Sequence, residues 1–341
     1  MTKNSSTSIK IATRRSPLAL WQAEYVANLL KKANKDLKVD LMKISTEGDR
    51  LLESALSNFG GKGLFVKELE NAIFDGSADM AVHSTKDVPM VLPEGLELGV
   101  ICKRDNPNDA LILRTLKEKS VLTSSKIEDL PHGSIIGTSS LRRKCQILNY
   151  RPDLKFKSLR GNINTRLQKL DAGEYDAIIL AAAGLERLGL EKRISSIIDR
   201  RILLPAVAQG ALSIEYRIGD QATSLLSQPL NDQNSALCIT AERAMSRFLD
   251  IGCQAPVAGF AECIDFSSEV KKIKLEGRVI SIDGKKVLSE LGEIVIDLGR
   301  GIHVAYEDAK SLGVQVAKRL SDSGARGIID EAKKKVIGIG E

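Results

Sequence analysis

Short β-type runs alternate with amphipathic helical stretches through the first two-thirds of the chain, and this alternation constrains the fold more than any other feature. Ile9–Thr13 reads as a strand. Ser16 is a good N-cap, Pro17 suits the first helical turn, and Leu18–Lys32 carries apolar residues at helical spacing. Strands follow at Val39–Ile44, Asp79–His83 and Leu96–Cys102, with a helix at Leu64–Phe74. The pattern restarts after the polar stretch Lys103–Asp109. Strands at Ala110–Leu113, Ser134–Gly137, Leu154–Leu159 and Tyr175–Leu180 are interleaved with helices at Leu141–Asn149 and Ile163–Ala172. Such alternation predicts parallel sheets covered on both faces, here two α/β lobes with a cleft between them. Ligands of such folds sit at carboxyl ends of strands and at helix N-termini. Beyond Gln221 the character changes. A helix at Ser235–Phe248, strands at Val270–Ile280 and Lys286–Ile296 around an Asp283-Gly284 turn, and a helix at Val304–Leu320 predict a small α+β domain. Thr115–Ser125 reads as a polar surface insertion, and the residues from Lys333 on read as poorly anchored.

At 341 residues, 43% hydrophobic and 28% charged, the chain has the composition of a globular protein with a sizeable core. A net charge of +6 is too small for a general nucleic-acid binder, and 4% aromatic residues argue against a base-stacking platform. Apolar runs such as Ala177–Leu185 are too short to span a membrane, and Met1–Lys10 is polar with no apolar signal core. Cys102, Cys145, Cys238, Cys253 and Cys263 form no C-x-x-C pair, and His83, His132 and His303 lie far apart. A soluble cytoplasmic protein without a disulfide framework or a metal site is the expectation.

Four segments carry chemistry. Between Thr138 and Arg166 lie Arg142, Arg143, Lys144, Arg151, Lys155, Lys157, Arg160 and Arg166 against Asp153 alone. A charge run is usually a solvated helix face. This one favours Arg, whose fork matches carboxylates and phosphates, and it sits at the strand-to-helix junctions Gly137–Arg143 and Arg160–Asn162. A polyanion site is therefore favoured. A second basic set occupies Thr13-Arg14-Arg15-Ser16-Pro17 and Gly60-Gly61-Lys62-Gly63-Leu64-Phe65-Val66-Lys67. The latter lacks the glycine and hydroxyl positions of a Walker A loop. Third, His83-Ser84-Thr85-Lys86-Asp87-Val88-Pro89 leaves a strand at the sheet's carboxyl edge. Asp87 there is either half of a surface ion pair with Lys86 or a carboxylate that stabilises a cation or exchanges protons. A structural role outweighs catalysis for His83. Fourth, Gly252-Cys253-Gln254-Ala255-Pro256 places a cysteine in a Gly/Pro loop, where spacing does not separate a nucleophile from an inert thiol.

These segments, taken in order with Arg160-Gly161-Asn162-Ile163-Asn164-Thr165-Arg166 and Ala183-Gly184-Leu185-Glu186-Arg187-Leu188, resemble the porphobilinogen deaminase (hydroxymethylbilane synthase) family over nearly the whole chain. The resemblance implies two periplasmic-binding-protein-like α/β lobes around a central cleft, plus a small C-terminal α+β domain. It implies a transferase of tetrapyrrole biosynthesis. Four porphobilinogen molecules would be condensed head to tail, with loss of ammonia, onto a dipyrromethane cofactor held by a cysteine thioether, and hydrolysis would release hydroxymethylbilane. A monomer is implied, with no nucleic-acid or membrane partner.

By the same resemblance Asp87 is the catalytic carboxylate and Cys253 the attachment point. Arg14, Ser16, Lys62, Lys86, Ser140, Arg142, Arg143, Arg160, Arg166 and Arg187 would hold cofactor or substrate carboxylates, with Thr138 and Ser139 adding donors. No metal is implied. The bottom-up reading agrees: porphobilinogen carries two carboxylates, so a growing chain accumulates negative charge. The family fold implies that lobe one comprises residues 1–104 and 209–228, lobe two 105–208 and the third domain 229–341, with Ala211–Tyr216 returning a strand to lobe one. Three features depart from the family pattern. Ala208 replaces a glycine and would cost stability if a positive φ is needed there. Thr85 replaces a frequent Met, and the insertion at Thr115–Ser125 is long.

Overall fold

The computed structural model describes residues 8–46, 66–114, 126–250 and 255–337. Lys62, Cys253 and the Thr115–Ser125 insertion therefore lie outside the described residues. The chain divides into two compact units, Met1–Asp105 with Ala211–Ala236, and Asn106–Gly210 with Leu237–Glu341.

The first unit is built on a five-stranded sheet of order β2-β1-β3-β10-β4. Its strands are β1 (Ser8–Arg14), β2 (Lys38–Ile44), β3 (Met80–Ser84), β4 (Leu96–Ile101) and β10 (Leu212–Arg217). Strand alternation sends two residue sets to opposite faces. Ile9, Ile11, Met80, Val82, Ile214 and Tyr216 pack with α1 (Pro17–Ala33) on one face. Ala12, Ala81 and Leu96 pack with Leu69, Ala72 and Ile73 of α2 (Lys67–Phe74) on the other. β1 runs parallel to β2 and β3, whereas β10 is antiparallel to both β3 and β4. The sheet is thus mixed, not parallel as the alternation predicted, because β10 runs against both of its neighbours.

The second unit holds two sheets. One has the order β7-β6-β8-β5-β9. Its strands are β5 (Asp109–Leu113), β6 (Ile135–Gly137), β7 (Lys155–Lys157), β8 (Ala177–Ala181) and β9 (Ser196–Ile197). β5 is antiparallel to β8, so this sheet is also mixed. Helices α3 (Leu141–Tyr150), α4 (Ile163–Asp171) and α5 (Ala182–Arg187) cover its faces. The other sheet is an antiparallel meander, β11 (Val257–Asp265), β12 (Val270–Ile280) and β13 (Val287–Asp297). It packs against α7 (Gln233–Phe248), α8 (Ile302–Asp322) and α9 (Ala325–Ile337) through Leu237, Met245, Ile273, Leu275, Val316 and Ile328. The remaining short helix, α6 (Gln221–Ser227), follows β10.

Sequence reading missed β11, whose Gly259 and alanines weaken the β signal. It also missed α9 and read the residues from Lys333 on as poorly anchored: α9 runs through Lys333, with Ala332 buried and Lys333 Nζ 3.2 Å from Asp250 Oδ2.

Within the second unit Glu242 of α7 ties the chain leaving the α/β sheet to the meander. Its buried carboxylate accepts the Ala208 N–H at 2.6 Å and the Ala261 N–H at 2.7 Å. Ala208 is held at φ 61°, the left-handed region in which a Cβ is strained. Ala208→Gly is therefore expected to stabilise the protein. The gain is about 0.5–1 kcal/mol, since relief of strain is partly offset by the freer unfolded glycine. A melting temperature raised by about 1–3 °C checks it, and an unchanged or lower one would place the strain elsewhere.

Candidate active site

In the first unit two segments reach the same end of the sheet. β1 and β3 are parallel neighbours, with Ile11 opposite Met80 and Ala12 opposite Ala81. Their carboxyl ends therefore deliver Arg14–Ser16 and Ser84–Asp87 side by side. Ser16 caps α1, its Oγ accepting the Ala19 N–H, and Pro17 opens the helix. Thr13 Oγ1 donates to the Ala19 carbonyl at 3.0 Å. A single 3-10 turn, Thr85–Asp87, follows β3. The Thr85 N–H donates to Ala211 O at 3.0 Å, and the Val88 N–H to Thr85 O at 3.3 Å. Gln22 Nε2 of α1 donates to Ser84 Oγ at 2.8 Å. The turn is thus anchored on both sides while Asp87 itself is exposed, with Arg14 and Lys86 half-buried.

In the second unit the hydroxyl and arginine set gathers at the carboxyl ends of β6 and β7, which are also parallel neighbours. Ser140 caps α3, accepting the Arg143 N–H, while Thr138 Oγ1 accepts the Ser140 N–H at 3.2 Å. Ser139 Oγ lies 2.8 Å from Ser158 Oγ and donates to Leu159 O at 2.9 Å. Asn162 caps α4, and Arg166 Nε donates to Gly161 O at 2.7 Å. Gly161 sits at φ 112°, the bend that a side chain would strain. Two helix N-termini and their free N–H groups therefore open at one sheet end.

Three of the expected arginines are more deeply held than the sequence implied. Arg142 and Arg143 are buried on either side of Asp109, which is fully buried at the start of β5. Arg142 Nη1 is 2.8 Å from Asp109 Oδ2 and 2.7 Å from Leu204 O. Arg143 donates from Nε and Nη2 to Asp109 Oδ1, at 3.0 and 2.7 Å, and from Nη1 to Ile179 O at 2.9 Å. Gln209 Nε2 donates to the same Oδ1 at 3.1 Å. Burial pulls the Arg142 pKa below its ordinary value, and Asp109 opposes that shift. Arg187 is also buried, its Nη2 donating to Gly210 O at 2.7 Å. Arg160 and Arg166 are half-buried. Arg151, part of the same basic run, serves the fold by bonding Asp153 and the carbonyls of Ile127, Glu128 and Leu130.

Sequence reasoning missed Asp109 and Gln209. Asp109 sits in a polar stretch with no motif around it, and nothing in its spacing names a partner 33 residues on. Of the other cysteines, Cys102, Cys145 and Cys238 are buried and Cys263 is half-buried. Burial pushes the Cys145 thiol up to about 11. Such a group stays protonated and unreactive at neutral pH. Among the described residues no cluster of metal-binding side chains occurs, and no helix is long and apolar enough to cross a membrane.

Comparison with known proteins agrees with the motifs. Residues 9–224 match the family model described as porphobilinogen deaminase, dipyromethane cofactor binding domain, and residues 236–322 match porphobilinogen deaminase, C-terminal domain. A chloroplastic porphobilinogen deaminase of Euglena gracilis is 49% identical over 336 residues, covering 95% of this chain and 67% of that relative. Similar solved structures include the periplasmic VFT2 domain of Bordetella pertussis BvgS, at 16% identity and TM-score 0.38, covering 64% of this chain and 84% of that one. A probable amino-acid ABC transporter extracellular-binding protein of Bacillus subtilis gives 13% identity and TM-score 0.38, covering 66% and 90%. The two matched domains and the shared sequence lead to one conclusion: the chain belongs to the porphobilinogen deaminase family, transferases of tetrapyrrole biosynthesis that condense four porphobilinogen molecules onto a dipyrromethane cofactor and release hydroxymethylbilane.

Proposed function

We propose that the two clusters divide the work of this reaction between positive-charge stabilisation in the first unit and carboxylate binding in the second. The observation that carries this reading is the delivery of Arg14–Ser16 and Lys86–Asp87 to one sheet end by the parallel pair β1 and β3. Asp87 faces the carbon from which ammonia departs and holds the positive charge that develops there and on the pyrrole nitrogen. Its carboxylate also takes and returns protons as each new bond forms. Arg14, Ser16, Lys62 and Lys86 hold the propionate and acetate groups of the incoming substrate.

The donor set of the second unit fits a group carrying several carboxylates. Two capped helix N-termini, the hydroxyls of Thr138, Ser139 and Ser140, and the cations Arg142, Arg143, Arg160, Arg166 and Arg187 converge on one half of the molecule. Arg142 and Arg143, fixed by Asp109, present their remaining N–H groups without paying rotamer entropy on binding. The dipyrromethane, when bound, would supply the free pyrrole carbon to which the first porphobilinogen is joined. Cys253 is its attachment point in this reading. We further propose three domains, residues 1–104 with 209–228, 105–208 and 229–341. The enzyme is read as a cytoplasmic monomer without nucleic-acid or membrane partners, supported by its modest net charge and its cysteine pattern. The Euglena relative is named chloroplastic, so fractionation of the native cells is the direct check.

The attachment is tested by mass. The intact denatured protein should carry a stable excess of two pyrrole units, recovered on the Cys253 peptide, and Cys253→Ser should have the bare mass and no turnover. Modification of Cys238 or Cys263 in that variant would move the attachment site.

A further inference from the structure

On the α2 face of the first sheet, directly before the Asp87 turn, lies a polar cluster that the reaction as described does not use. His83 of β3 and Glu215 of β10 are in hydrogen-bond contact, Nε2 to Oε2 2.8 Å, with the residues 5% and 0% exposed. Glu70, in the first turn of α2 and 7% exposed, faces both. Burial first, and then the Glu215 charge, push its carboxyl up to about 7, with His83 opposing. Ser213 stands opposite His83 in the β10–β3 register, on the same face. Glu215 Oε1, Ser213 Oγ and Thr85 Oγ1 are buried and make no hydrogen bond among the described residues. Buried polar atoms are ordinarily satisfied, so Ser213 and Glu215, two apart on one face of β10, mark a polar patch in an otherwise apolar layer. Strand alternation adds Arg14 of β1 to this face, and α2 itself contributes Lys67 and Glu68.

We propose that Glu70, His83 and Glu215 act as a buried positioning cluster for the known reaction, gaining and losing one proton beneath the Asp87 turn and so tuning how strongly that turn holds positive charge. They touch no reacting atom; they act through β3, whose last residues lead directly into Thr85–Asp87. Loss of the Glu70 proton adds one negative charge to a poorly solvated region below the turn. That charge favours a cation held above it. Turnover therefore rises as pH increases through the Glu70 titration and levels off above it. The inference rests on the reading of Asp87 as the carboxylate that meets the cation.

The test is the pH profile of kcat from pH 5.5 to 9 for the cofactor-loaded enzyme and three variants. The parent should show a limb near pH 7. Glu70→Gln, a neutral isostere, should lack it. Its kcat should equal the parent's at pH 6 and fall about three- to tenfold below it at pH 8.5, with KM unchanged. His83 opposes the upward shift of Glu70, so His83→Gln should move the limb to higher pH. Glu215 promotes that shift, so Glu215→Gln should move it to lower pH. A limb that persists in Glu70→Gln overturns the proposal, as does movement of both other variants in one direction. Full turnover by an Asp87 variant would instead overturn the reading beneath it. Glu70→Gln changes no fully buried ion pair, so it gives the decisive result even if the His83 and Glu215 variants fold poorly.

Discussion

Asp87→Asn is expected to leave a folded, cofactor-bearing protein whose kcat falls about 10²–10³-fold. The fold should be unaffected because Asp87 is exposed and no backbone group of the turn depends on its side chain; the turn is held by the Thr85 and Val88 amides and by Gln22 on Ser84. Substitutions at such positions usually change stability by no more than about 0.5 kcal/mol. The chemistry should suffer because asparagine keeps the shape and loses the charge. A neutral amide neither balances a developing cation nor accepts a proton. The loss corresponds to about 3–4 kcal/mol of transition-state stabilisation, and it should fall on kcat more than on KM. Steady-state kinetics beside intact mass separate the possibilities. A rate near that of the parent in a loaded protein would remove Asp87 from the mechanism.

Asp109→Ala should do the opposite, damaging the fold first and activity through it. One buried carboxylate serves Arg142, Arg143 and Gln209, so its removal leaves two buried guanidiniums without their counter-charge. Breaking a buried pair in this way costs about 3–5 kcal/mol. For a unit of this size the thermal midpoint should drop by about 10 °C. Asp109→Asn retains part of the hydrogen bonding and should lose less. Calorimetry of both variants checks the order, and cofactor content by mass reports whether the arginines still present themselves. A midpoint within about 2 °C of the parent would show that water or neighbouring groups compensate the two charges.

The alternation of strands and helices, the capped start of α1 and the break into an α+β region were all legible in the sequence, because each rests on local periodicity or capping chemistry. Pairing across distance was not. The pass along the sequence did not find the strand Leu212–Arg217, because its near-complete burial erases the alternation that would mark it. Only the family resemblance returned it to the first lobe. The antiparallel direction of β5 was hidden because neither direction nor partner is written in a short apolar run, and β11 was hidden because Gly259 and its alanines weaken the β signal. The site shows the same division. Arg142 and Arg143 stood out as a basic cluster, whereas their burial against Asp109 depends on a strand edge that no local pattern marks. Glu70 and Glu215, 145 residues apart, gave no signal at all. Ala208 is the converse case, in which one departure from the family pattern foretold a positive φ that the structure has.

The placement of β10 has a consequence for how this protein is made. β10 is not an edge strand but lies between β3 and β4, so the first sheet lacks an inner member until residue 217 has left the ribosome. By then the whole Asn106–Gly210 segment has emerged, with every strand of its own sheet. Closing a loop of that length is slow for the chain but cheap in added entropy, provided the intervening segment has already collapsed. The nascent β3 and β4 meanwhile expose unpaired edges that invite misassembly. The Thr85–Asp87 turn is tied to Ala211, the residue just before β10. The Asp87 carboxylate is therefore set in place only when the late strand arrives, so an incomplete chain cannot assemble the first unit's polar cluster.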